Sequence, residues 1–135
     1  MKNIKFTIIT FYQFKKIKKI EKIQKSLKEF CSFHKIKGTI IIAEEGINGT
    51  VAGLSLPIDL LQKKLTELDF IKVEKKISFY DFMPFIRTKI KIKKEIVKFE
   101  EINLDIQNLK GKYVDSFKWN NLINDKETLL IDVRN

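Results

Sequence analysis

The chain has 135 residues, 44% of them hydrophobic, with eleven Phe and a formal net charge of +10; this excludes a disordered chain and leaves room for one sizeable core. A single cysteine, Cys31, excludes an intramolecular disulfide and fits a reducing cytoplasm, and no apolar run is long enough to span a bilayer. The pI near 9.6 points to acidic partners, nucleic acid before an anionic membrane surface, set against the plainer reading of a lysine-rich, soluble chain.

Phe6 to Phe14 is a β-branched and aromatic run that predicts a first strand covered on both faces. From Lys15 to about His34 the spacing becomes helical. Ile17, Ile20, Ile23, Leu27, Phe30, Cys31 and His34 share one face, and Lys15, Lys18, Lys22 and Lys25 form a basic stripe opposite. Gly38 to Gly53 then reads as strand, tight turn, strand: Ile40 to Ala43 suit a buried strand, Gly46, Asn48 and Gly49 suit the turn, and Thr50 to Ala52 resume. Glu44 and Glu45 give the hairpin an acidic tip.

A second helix follows, with Ser55 as its N-cap, Pro57 in its first turn, Ile58, Leu61, Leu65 and Leu68 on its apolar face, and an end near Leu68 and Asp69. Phe70 to Tyr80 has strand character but is surplus to the minimal pattern. Beyond the break at Pro84, Arg87 to Lys93 alternates strictly, with Arg87, Lys89, Lys91 and Lys93 on one face and Thr88, Ile90 and Ile92 on the other. The order predicts a ferredoxin-like α+β fold over residues 1–98, a split βαβ antiparallel sheet with two helices. Residues 99–126 read as a connector with a short helix around Trp119 to Ile123. Thr128 to Val133, within 127–135, reads as the opening strand of an α/β domain.

Several groups invite chemistry. Glu44, Glu45 and Asn48 offer paired carboxylates or oxygen ligands, yet adjacent strand-end residues diverge and a hard cation needs more ligands. A turn role is favoured. Cys31 and His34 are too few for zinc and lie on the apolar face, so packing is the better reading. The fold is shared by acylphosphatase, but the arginine-bearing phosphate loop of that enzyme is replaced after strand one by Phe14-Lys15-Lys16-Ile17. Metal ligands and catalytic residues are therefore not assigned in this chain, and no cofactor is evident. The two basic rows, Lys15, Lys18, Lys22 and Lys25 and then Arg87, Lys89, Lys91 and Lys93, can track RNA phosphates or can be solvated faces.

Four segments in order carry a family resemblance: Ala43 to Val51, Lys93 to Val97, Trp119-Asn120, and Ile131-Asp132-Val133-Arg134-Asn135. Together they resemble the rhodanese-related, oxygen-dependent tRNA uridine hydroxylases (UPF0176-type), along essentially the whole chain. The resemblance implies an N-terminal ferredoxin-like domain followed by a rhodanese domain, here truncated, whose opening Asp-x-Arg-Asn matches Asp132 to Asn135. It implies 5-hydroxylation of the wobble uridine (position 34) of tRNA with molecular oxygen as co-substrate, and tRNA as partner. The family's reactive cysteine lies in a later loop that these 135 residues do not include, and Cys31 does not match it. The resemblance thus implies that this portion positions tRNA, with Asp132 and Arg134 as supports of the rhodanese domain. A non-catalytic RNA-binding or interaction module, and part of a rhodanese-type sulfurtransferase, remain the alternatives.

Overall fold

The computed structural model describes residues 4–96 and 111–132. Two compact units are present, Met1–Ile102 and Asn103–Asn135. In the first, the order is β1 (Phe6–Phe14), α1 (Ile20–Phe33), β2 (Lys37–Ala43), β3 (Gly46–Gly53), α2 (Ser55–Glu67), β4 (Glu74–Tyr80) and β5 (Thr88–Ile92). The sheet runs β4-β1-β3-β2-β5, antiparallel except for the parallel pair β2 and β5. This is a ferredoxin-like α+β fold with a fifth strand on one edge.

The last two strands exchange their expected roles. Glu74–Tyr80, taken from sequence as surplus, pairs with β1 and completes the split βαβ unit; the alternating basic strand is the addition, beside β2. The reason lies in the chain path, because α2 ends beside the free edge of β1. Crossing from Tyr80 to Thr88 passes four strand spacings, roughly 19 Å, within the ~28 Å reach of eight extended steps.

Helix boundaries are set by backbone partners outside the helices. Lys15 and Ile17 donate their N–H groups to the carbonyls of Glu45 and Glu44 at 2.9 and 2.8 Å, and Lys19 takes a left-handed conformation, so α1 begins at Ile20 rather than Lys15. Ser55 is the first residue of α2 and not its cap; Leu54 holds that position without a side-chain hydrogen bond. Both helices end alike. Lys35 and Asp69 stand at positive φ (55° and 72°), and the next residues, Ile36 and Phe70, donate back to Cys31 and Leu65 at 2.9 Å, as in the Schellman arrangement. Ile36 and Phe70 then bury their side chains in the core.

The hairpin turns earlier than expected. Gly46, Asn48 and Gly49 all lie in β3, and the two turn residues are Glu44 and Glu45. Turning there pairs Ile42 with Ile47 and Ile40 with Gly49, which keeps Ile47 and Val51 on the helix side and fully buried; a one-residue slip would expel them. Gly46 answers a close approach, since a Cβ there would lie 2.2 Å from the Gln13 carbonyl oxygen. Gly49 seats the Phe11 ring, as a Cβ would lie 2.7 Å from Phe11 Cζ and 3.0 Å from Ile40 Cγ1.

Helices cover one face of the sheet. Ile9, Phe11, Leu27, Ile36, Ile40, Ile42, Ile58 and Leu61 are fully buried between the layers, each contributing about 1.5–3 kcal/mol. The other face is not covered to that degree, so β1 is buried on one side only. Phe6, Ile8, Tyr12 and Phe14 are half-buried and Thr10 is exposed.

The second unit contains α3 (Ser116–Ile123), whose cap Asp115 accepts the Lys118 N–H at 2.8 Å. Residues 128–132 are exposed and form no strand among the described residues. A strand needs a neighbouring strand to hydrogen-bond, and none is paired with this run among the described residues. Arg134, with Val133 and Asn135, lies outside the described residues, as do residues 99–110 of the expected connector.

Gly49→Ala should destabilise the protein by about 1–3 kcal/mol in urea unfolding, whereas Gly111→Ala, where nothing lies within 4 Å, should be neutral. The buried Cys31 thiol is pushed up from 9.0 to about 12 by desolvation. The unfolded thiol ionises first, so stability is lost as pH rises from 9.0 toward about 12. The urea midpoint should therefore fall more steeply with alkaline pH in the wild type than in Cys31→Ala, and the native thiol should react slowly with a disulfide reagent.

Candidate nucleic-acid interface

Strand alternation and the cross-strand register define the open face of the sheet. One row runs Lys76, Thr10, Thr50, Thr39, Lys89 across β4, β1, β3, β2 and β5; the next runs Glu74, Tyr12, Asn48, Ile41, Lys91. Ile90, by contrast, is 4% exposed and lies on the helix side beneath α1, where its carbonyl accepts from Gln24 Nε2 at 2.8 Å. Because β5 is an edge strand with Ile90 on the helix side, Lys89 and Lys91 lie on the side of the sheet opposite the helices. Arg87 and Lys93 stand at the two ends of β5 and are exposed.

The first basic row dissolves in the structure. Lys15 and Lys18 precede α1, and Lys15 is turned inward: Nζ forms an ion pair with Asp69, donates to the Asp69 carbonyl at 2.6 Å and sits 6.0 Å from the centre of the Phe70 ring. Lys18, Lys22 and Lys25 are exposed. Lys22 and Lys25 belong to α1, on the helix layer, so the structure does not join them to the β5 row on the opposite face.

Aromatic side chains absent from β5 come from β1, three strands away in the sheet. Tyr12 and Phe14 lie edge to face with ring centres 6.3 Å apart, and the Tyr12 hydroxyl donates to Glu74 at 2.5 Å. The signal was present in the sequence as the alternation Phe6, Ile8, Thr10, Tyr12, Phe14. It was hidden because Ile9 and Phe11 on the other face made the run look continuously apolar.

The remaining candidates take structural positions. The Glu44 and Glu45 carbonyls anchor the β1–α1 loop, and the Glu45 carboxylate accepts the Ile96 N–H. Cys31 is buried in the core, and His34 packs its ring against Phe30 and Phe33, with centres 4.3 and 4.9 Å away. No group of three or more His, Cys, Asp or Glu is placed to hold a metal ion among the described residues. The loop after β1 has two of its N–H groups committed to the hairpin tip, which removes donors a bound phosphate would use. Asp132 is exposed in the second unit. No helix among the described residues is long and apolar enough to cross a membrane.

Solved structures share the fold at low identity. Full-length HypF in its phosphate- and nucleotide-bound form is similar with a TM-score of 0.50 and 13% identity, over 67% of this chain and 12% of that one. A bacterial light-regulated adenylyl cyclase is similar with a TM-score of 0.52 and 17% identity, over 78% of this chain and 31% of that one. The chain thus spans well under half the length of either, and the likeness concerns fold alone. The sequence of the sheet and its helices is the more specific evidence: residues 6–96 match the UPF0176 acylphosphatase like domain, so the chain belongs to that family.

Proposed function

We propose that this domain positions tRNA for a protein that 5-hydroxylates the wobble uridine, with the chemistry carried by a rhodanese domain. The observation that supports this reading most is the row Arg87, Lys89, Lys91, Lys93 along the edge of the sheet face opposite the helices, with half-buried aromatic rings on the same face. Such a face meets the two demands of RNA, cations for phosphates and flat apolar groups for bases. The family membership supports the assignment of tRNA as the RNA, through the resemblance carried by Ala43 to Val51 and Asp132 to Asn135. The same face serves equally the reading of a non-catalytic RNA-binding module. A sulfurtransferase differs from a hydroxylase in the rhodanese cysteine loop, which is not among these residues.

Binding of the 135-residue chain to tRNA should weaken about 50-fold to 150-fold between about 50 and about 200 mM salt, as expected for some four phosphate contacts. Lys91→Gln and Lys93→Gln should each weaken binding and lower the salt slope by about one, whereas Lys22→Gln and Lys25→Gln on the helix layer should change little. Affinity indifferent to salt, or lost through the helix variants instead, would overturn the assignment of this face. Incubated with tRNA and oxygen, the 135-residue chain should leave the wobble uridine unmodified by mass spectrometry of nucleosides; 5-hydroxyuridine formed by it would place the chemistry within these residues.

A further inference from the structure

The least covered element of the first unit is β4, where every residue from Glu74 to Tyr80 is exposed. It lies at one edge of the sheet, with β1 on its inner side and no strand along its outer side among the described residues. Alternate residues of an antiparallel edge strand turn their N–H and C=O groups outward, so β4 presents a row of backbone donors and acceptors there. Cover from the helix layer stops short as well. Ile77 and Phe79 stand opposite Ile9 and Thr7 on the helix side, but α2 packs on β1 and β3, and the two side chains remain 43% and 65% exposed.

Edge strands are ordinarily blunted by lysine, proline or a bulge. Here the guard covers only the first part of the strand: Lys75 and Lys76 precede Ile77-Ser78-Phe79-Tyr80, a run without charge or proline. This order of residues complements its own reverse. Laid antiparallel about Ser78, two copies set Ser78 opposite Ser78, Ile77 opposite Phe79, Lys76 opposite Tyr80 and Lys75 opposite Asp81. Apolar side chains then meet on the helix side, one lysine meets an aromatic ring, the other meets a carboxylate, and no like charges face each other. Other registers do less. With Lys76 at the centre two lysines are opposed, and with Ile77 at the centre neither lysine gains a carboxylate.

We propose that β4 pairs with β4 of a second copy of this chain, antiparallel about a two-fold axis at Ser78, joining the two sheets into one of ten strands. The same patch is used by both copies, so the contact closes at two and does not propagate. Each β5 then lies at an outer end of the joined sheet, nine strand spacings or roughly 43 Å from its counterpart. The basic rows stay clear of the contact, and the pairing is independent of the RNA reading. Charge opposes it: two chains of +10 repel, and salt screens that repulsion. Added salt therefore favours the dimer, the reverse of its effect on phosphate contacts. An unrelated strand could satisfy the backbone row, but it would not require β4 to match itself.

The test is sedimentation velocity of the 135-residue chain over a concentration series. A monomer of 16.0 kDa should give way to a dimer, and the dimer should tighten between about 50 and about 300 mM salt. Ser78→Lys opposes two lysines across the axis at a position exposed in the single chain, and should weaken the dimer about fivefold. Cross-linking reads the register separately. Ser78→Cys should form a disulfide-linked dimer on oxidation, since directly opposite residues lie within bridging distance, whereas in Ile77→Cys the two thiols are diagonal neighbours about 7–8 Å apart and should not link. The wild type, whose Cys31 is buried, should stay unlinked. Monomer at every concentration, linkage through Ile77→Cys in preference to Ser78→Cys, or a dimer untouched by Ser78→Lys but dissociated by Phe33→Ser on α1 would overturn the pairing. Lys91→Gln should leave the dimer unchanged whether or not it weakens tRNA binding, so the failure of either reading is visible without the other.

Discussion

The Phe11 ring resting on the bare backbone of Gly49 fixes the centre of the sheet. Phe11 and Gly49 are cross-strand partners, Gly49 is in turn opposite Ile40, and a Cβ at Gly49 would collide with both side chains. Where the side-chain period is two, one such contact determines which face every residue of three strands occupies. The core face then receives Ile9, Ile40, Ile42, Ile47 and Val51, all fully buried. The open face receives Tyr12, Phe14, Asn48 and Thr50 by the same alternation. Core and candidate interface are therefore two consequences of one register.

Electrostatics is distributed less evenly than the composition suggests. A net charge of +10 could be spread over the whole surface, but Lys15 is bound to Asp69 and packed by Phe70, and the lysines of α1 face away from the sheet. The β5 lysines remain together because period two on a single strand cannot separate them. Exposed cations at a flat edge add little to stability, and like charges along one strand repel. Their concentration is better suited to an anionic ligand than to folding.

Much of this was legible in the chain. The strand Phe6 to Phe14, the two amphipathic helices, the acidic hairpin tip and the alternating row Arg87 to Lys93 all follow from local spacing, and the structure places them within a few residues. The hairpin segment Ala43 to Val51 also carried the family. What misled was glycine as a turn marker: Gly46 and Gly49 serve close contacts between strands, which depend on Gln13 and Phe11 some thirty-five residues earlier. The start of α1 misled for the same reason, since the amides of Lys15 and Ile17 are held by the carbonyls of Glu45 and Glu44.

The sequence by itself determined the element types, the split βαβ order and which side of each amphipathic element is apolar, because these depend on propensity and on periods of 3.6 and two within one segment. Only the tertiary structure decided that Glu74–Tyr80 is the fourth strand and Thr88–Ile92 the added one, since both edges of the sheet offer free hydrogen-bonding groups and the path from α2 chooses between them. It also decided which lysines remain free and which aromatic rings share their face. Those outcomes depend on neighbours across the sheet, and strand alternation within a segment carries no record of which strand lies alongside.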